Sequence, residues 1–181
     1  MRLHELEHLI RAAADVTNEY EIIVIGSQSI LGSVPNPPQD CVMSMEADMF
    51  PRGAEYLSDQ IDGAIGEGSQ FHETYGYYAQ GVDSTTATLP RNWEQRLVRV
   101  QSETTNGRVG LCLEPTDLFL AKCVANREKD RAFNLSLLIH GIVSADEALA
   151  RLPEMPINAV AQKKLAALIR RLQVLAREKP E

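Results

Sequence analysis

The spacing of apolar positions changes along the chain, and each change marks an element. Residues 2 to 18 carry Leu3, Leu6, Leu9, Ile10 and Ala13 at three- and four-residue intervals, the signature of one helix face. EIIVIG, residues 21 to 26, is a short β-branched run closed by glycine and reads as a buried strand. GSQSILGS follows as a turn into a short helix, and the three prolines of VPNPPQD, 34 to 40, mark a loop. CVMSMEADMFP, 41 to 51, is mostly apolar and predicts a strand over 41–49. Ala54, Leu57, Ile61 and Ile65 give a helical spacing within 52–68, and YGYYAQGVD, 75 to 83, reads as a third strand. RLVRVQSE and VGLCLE flank TTNG as a hairpin whose turn is marked by Asn106-Gly107.

From Pro115 onward the pattern is helical. Proline suits the first helical position, where its missing N–H has no partner to lose. A second helix covers Lys129 to His140, Ser144 with Glu147 forms a capping box for a third, and the last runs from about Asn158 to Arg177. The predicted fold class is α/β (α+β): a small mixed sheet flanked by helices over 1–113, followed by a helical region, 114–181, packed on it.

Composition narrows the functional classes. The 181 residues are 44% hydrophobic, enough for one domain with a buried core, and carry a formal net charge of -7. No bulk basic charge recruits nucleic acid, so such a contact needs a local basic patch. Cys41, Cys112 and Cys123 are odd in number and scattered, and make neither a disulfide framework nor a metal spacing. MRLHELEHLI lacks the apolar core of a secretory leader, and no run approaches the ~18 apolar residues that span a bilayer. A reduced, cytoplasmic protein without membrane contact is the expectation.

The strand over 41–49 poses a chemical question. Cys41, Met43, Met45, Ala47 and Met49 form one face, a core face; Val42, Ser44, Glu46 and Asp48 form the other. That second face turns acidic toward the strand's C-terminal end, where α/β folds place their sites. Two carboxylates side by side repel and lose hydration unless solvent or a cation reaches them. Mg²⁺ takes oxygen ligands, commonly one or two carboxylates plus substrate phosphates. Gly26-Ser27 ends the preceding strand, and the absent glycine side chain allows close approach of a phosphate. Asp83 closes the third strand as a candidate third acid, with Asp59 and Asp62 as competitors within a helical pattern. Against this stands a plainer reading, a strand end whose acids are simply hydrated.

The second half of the chain adds EPTDLFLAKCVANREKDRAFNLSLL, 114 to 138. Glycine-serine, an acid-x-acid pair on the next strand and an acid on a later one resemble the nucleotidyltransferase superfamily pattern. The D-L-x-x-x-K and K-x-x-x-x-R-x-K-D elements resemble small prokaryotic nucleotidyltransferase-like proteins, relatives of the AbiEii-type toxins that include the DUF6036 group. The likeness covers about residues 20 to 140. It departs from the commoner pattern in having Glu46 rather than Asp first, and in the long proline-rich spacer after Gly26.

The resemblance implies roles. Gly26 and Ser27 would bind the triphosphate of an NTP. Glu46, Asp48 and Asp83 would hold Mg²⁺ or Mn²⁺, with Asp83 as base. Lys122, Arg127 and Lys129 would face the phosphates, and Asp130 would orient a basic residue. Lys122 and Asp130, eight apart, share a face if one helix spans them. The implied activity is transfer of an NMP group to an acceptor, RNA in the toxin branch, with a cognate antitoxin as partner. The rival is an inactive module of the same fold, a nucleotide-binding or antitoxin-like regulator. A structural reading of Arg127 to Asp130 is a solvated salt-bridge cluster at a helix–helix turn.

Three other features have structural readings. HELEH, residues 4 to 8, matches H-E-x-x-H and would place two histidines on one helix face; exposed helix residues are the simpler expectation. Phe71, Tyr75, Tyr77, Tyr78 and Trp93 suit base stacking or sheet packing. Lys163, Lys164, Arg170, Arg171 and Arg177 make the last helix basic, beside a stripe of Leu165, Leu168, Ile169, Leu172 and Leu175 that reads as its buried side.

Overall fold

The computed structural model describes residues 1–178. β1 (Glu21–Ile25) is central in a five-stranded mixed sheet of order β3-β2-β1-β5-β4. Ile22, Ile23, Val24 and Ile25 are all buried, as both faces of an inner strand require. β2 (Glu46–Pro51) pairs antiparallel with β1, with Ile25 opposite Asp48. β3 (Tyr78–Gly81) runs parallel to β2 at one edge. β5 (Val109–Cys112) runs parallel to β1 and antiparallel to β4 (Val98–Val100) at the other edge. The predicted antiparallel pair is therefore present, but its strands are shorter than expected and residues 101–108 connect them as a longer loop, in which Asn106 and Gly107 take positive φ.

Helix α1 (Leu3–Thr17) buries Leu6, Leu9, Ile10, Ala13 and Ala14 along one stripe. α2 (Ser58–Ile65) and α3 (Gln70–Tyr75) lead into β3. The C-terminal half holds α4 (Pro115–Ala125), α5 (Glu128–Ile139), α6 (Ala145–Arg151) and α7 (Ala159–Glu178). α4 packs on the 3-10 segment Ser27–Gly32 and on α5, α6 and α7. It is apolar on nearly all sides, and every residue from Thr116 to Cys123 is buried. Side chains from both halves join one hydrophobic cluster. The three cysteines are free and buried, and burial pushes the Cys112 and Cys123 thiols up to about 12. Among the described residues, no helix is long and apolar enough to cross a membrane.

Several boundaries differ from expectation. The strand predicted over 41–49 begins only at Glu46; Gln39–Cys41 is a 3-10 turn following Pro38. Met43 and Met45, expected in the core, are 69% and 47% exposed, because they precede the pleat rather than belong to it. Only Ser58–Ile65 of the 52–68 segment is α-helical, after a turn at Arg52-Gly53 and a 3-10 segment, Glu55–Leu57. The third strand is shorter than 75–83: Tyr75 ends α3, and the pairing stops at Gly81. In α7 the predicted stripe is fully buried only at Ile169 and Leu172, while Leu175 is exposed.

Candidate active site

The site forms where β1 ends beside β2. Gly26 leaves β1 with φ 73°, a left-handed conformation that favours glycine. A Cβ at this position would lie 2.0 Å from Asp48 Oδ2, so the backbone runs directly against that carboxylate. Glu46 and Asp48 share a face of β2, with Ala47 and Met49 wholly buried on the other. The acid pair on one pleat face is as expected. Tyr78 O–H donates to Glu46 Oε2 at 3.3 Å from the neighbouring strand. Burial, then the hydrogen bond and charge of Glu46, push the Asp48 carboxyl up to about 7.

These acids line a cavity of about 560 Å³. Gly26 and Ser27 form part of its wall, and Lys122, Arg127, Lys129 and Phe133 form another part. Lys122 is only 7% exposed. Its Nζ donates to Asp130 Oδ1 at 3.1 Å and lies 4.5 Å from the Phe133 ring centroid. Burial lowers the Lys122 ammonium, and the charge of Asp130 opposes that shift. Arg127 Nε donates to Asp130 Oδ2 at 2.7 Å. Burial alone would raise Asp130, but hydrogen bonds from Arg127 and the charge of Lys122 outweigh it and hold the carboxyl low. Those same hydrogen bonds raise Arg127, and the charges of Asp48 and Glu46 add to the effect. The K-x-x-x-x-R-x-K-D segment is thus no loose surface cluster: a wholly buried carboxylate ties Lys122 to Arg127.

The Lys122–Asp130 contact does not come from one helix. Asn126 breaks the path with a left-handed φ of 51°, and Asp130 sits in the first turn of α5. The two residues meet across the corner between α4 and α5.

Asp83 does not join the acid pair. Its Oδ1 accepts from Thr85 N at 2.8 Å and Thr85 Oγ1 at 2.5 Å, capping the 3-10 segment Ser84–Thr86, and it does not line the cavity. Pairing ends at Gly81, so Asp83 lies beyond the strand and is used locally. Asp62 donates no help either, since its Oδ1 accepts from Gly81 N at 2.8 Å. The expected three-carboxylate arrangement is therefore absent. Among the described residues, no three His, Cys, Asp or Glu side chains are grouped to hold a metal ion. Glu46 and Asp48 still suit a hard divalent cation, because both offer oxygen and a cation would relieve their repulsion.

H-E-x-x-H is not a metal motif here. His4 is exposed, whereas His8 is half-buried and shares a 2.8 Å hydrogen bond through Nδ1 with the Tyr77 hydroxyl. Phe71, Tyr75 and Tyr77 rings surround His8, and desolvation followed by the Arg11 charge lowers its imidazole. These aromatic residues pack α1 on α3 and β3 rather than lining the cavity. Tyr78 alone reaches the acid pair.

Asp117, the acid of D-L-x-x-x-K, carries no role in the sequence pattern. It is completely buried and accepts from Arg96 Nε and Arg151 Nη1, both at 2.8 Å. Arg151 also pairs with Glu114 and Glu147, and Arg96 with Glu154. The only sequence signal was an acid inside an apolar helix; its partners lie 21 and 34 residues away.

A family model described as a nucleotidyltransferase of unknown function (DUF6036) matches residues 1–155. No curated protein and no solved structure shows significant similarity to the chain.

Proposed function

We propose, since the chain belongs to the nucleotidyltransferases of unknown function (DUF6036), that the cavity binds an NTP with a divalent cation and transfers its NMP group to an acceptor. The observation that carries this reading is the gathering in the lining of one cavity of an acid pair, Glu46 and Asp48, and three cations, Lys122, Arg127 and Lys129. Such transfer needs positioning and charge compensation more than covalent help from protein groups. In the reaction the acceptor oxygen attacks the α-phosphorus, the bond to the β-phosphate oxygen breaks, pyrophosphate leaves, and the acceptor's proton passes to water.

The residues divide the work. Glu46 and Asp48 would hold Mg²⁺ or Mn²⁺, which would neutralise phosphate charge and align the in-line displacement. Gly26 yields its side-chain space to the Asp48 carboxylate, and Gly26 and Ser27 together offer the cavity wall that a phosphate would meet. Lys122, Arg127 and Lys129 offset the triphosphate. Asp130 positions Lys122 and Arg127 rather than touching substrate. The likeness to the toxin branch makes an RNA end the first acceptor to try, and a cognate antitoxin the first partner.

A second reading has its own support. Asp83 is turned to Thr85, which leaves the expected base without a place in the cavity and favours a module that binds a nucleotide without turnover. One experiment separates the two. The protein is incubated with each labelled NTP, Mg²⁺ and total RNA, beside Asp48→Asn. Label transfer lost in the variant supports the enzyme; nucleotide binding without transfer supports the module; neither binding nor transfer overturns both.

A further inference from the structure

The register of β2 and β3 decides what faces the acid pair. In this parallel pair, Glu46 lies beside Tyr78 and Asp48 beside Gln80. Paired residues on neighbouring strands project to the same face of the sheet. A third carboxylate from β3 aimed at the same ion would therefore occupy the position of Gln80, or that of Val82 two residues on. Both residues line the cavity, and neither carries charge. Asp83 is offset by one, and its oxygen is held by Thr85. Asp40 reaches the cavity wall from the 3-10 turn Gln39–Cys41 but does not complete a three-donor group with the pair.

Charge on the remaining wall works in the same direction. Lys122, Arg127 and Lys129 line the cavity, and Asp130 compensates only part of their charge. Two ions sharing one site need carboxylates enough to bridge them, and nearby ammonium and guanidinium groups repel a second divalent charge. We infer that this site holds a single divalent cation, on Glu46 and Asp48, and that the neutral amide of Gln80 beside Asp48 is what excludes a second. Gln80 is thus a determinant of ion count rather than a ligand. The inference rests on the proposed cation-dependent reading of the cavity but not on turnover.

The test uses the full chain and Mn²⁺ alone, with bound ion counted by the electron paramagnetic resonance of the free ion and by titration calorimetry. The wild type is expected to bind one Mn²⁺ per chain, and Asp48→Asn to lose it. Gln80→Asp and Gln80→Glu, which supply the missing carboxylate at the exposed edge of β3, are expected to bind a second ion or to tighten the first by about tenfold or more. Asp83→Asn is expected to leave the titration unchanged. Two ions on the wild type, or both Gln80 variants indistinguishable from it, would overturn the single-ion inference. No Mn²⁺ bound by any variant, with or without a non-hydrolysable NTP, would instead overturn the cation-dependent reading beneath it. Circular dichroism on each variant separates loss of the fold from loss of the site.

Discussion

Gly26 and Asp48 face each other across the β1–β2 pair, with 2.0 Å between the Asp48 Oδ2 atom and the place a Cβ of residue 26 would take. The glycine is required twice, by that approach and by its φ of 73°. Gly26→Ala must therefore strain the backbone and push the carboxylate off its position. We expect a loss of about 1–3 kcal/mol in urea unfolding. We also expect a larger relative loss of nucleotide binding, measured by calorimetry at a temperature where the variant is folded. Full nucleotide affinity in a folded Gly26→Ala protein would show that this contact does not shape the site.

Asp48 makes stability depend on pH in a definite direction. Its carboxyl is raised from 3.8 to about 7 by burial and by Glu46. Between those values the folded chain holds a proton that the unfolded chain has lost. Stability therefore falls as pH rises through this window and levels off above it. Asp48→Asn removes the penalty, so it should stabilise the metal-free protein at pH 8 by on the order of 2 kcal/mol and leave it nearly unchanged at pH 4. Thermal melts at the two pH values check this, and an equal effect at both would contradict it.

The acid pair was legible because period 2 is short and strict: Ala47 and Met49 are buried, and Glu46 and Asp48 share the other face. The same pattern misled upstream, where Met43 and Met45 alternate in sequence but lie outside the strand and are exposed. Alternation shows a face without showing where the pleat begins. Asp83 failed for a related reason. The apolar run continues through Val82, but pairing stops at Gly81, whose backbone packs against Ser58 O and whose N–H is held by Asp62. Lys122 and Asp130 were expected on one face of an unbroken helix; the helix breaks at Asn126, and they meet across the corner instead.

The pair of Lys122 and Asp130 predicts an asymmetry. Asp130 is wholly buried and serves two cations, whereas Arg127 is largely exposed and can turn to solvent. Asp130→Ala leaves the Lys122 ammonium buried without a counter-charge and should cost about 3–5 kcal/mol. Lys122→Met keeps Asp130 paired with Arg127 and fills the space with an apolar chain, so it should cost clearly less. Urea denaturation of the two variants gives the comparison. Equal losses would mean that Arg127 does not sustain Asp130 alone. Nucleotide binding should weaken in both, through lost charge in one and lost positioning in the other.

Asp117 offers the opposite combination, a buried charge that matters for the fold and not for the cavity. It receives Arg96 from the segment before β4 and Arg151 from α6, so it joins three parts of the chain at the start of α4. It does not line the cavity, although Leu118, Ala121 and Lys122 of the same helix do. Asp117→Asn keeps the shape and one neutral acceptor, while both arginines keep other carboxylates, Glu154 for Arg96 and Glu114 and Glu147 for Arg151. The expected loss is about 2 kcal/mol, between a neutral hydrogen bond and a broken buried ion pair. Mn²⁺ and nucleotide affinities should stay at wild-type values once the variant is compared below its melting range. An affinity lost in step with a small change in stability would instead make Asp117 part of the binding machinery, acting through α4 on Lys122.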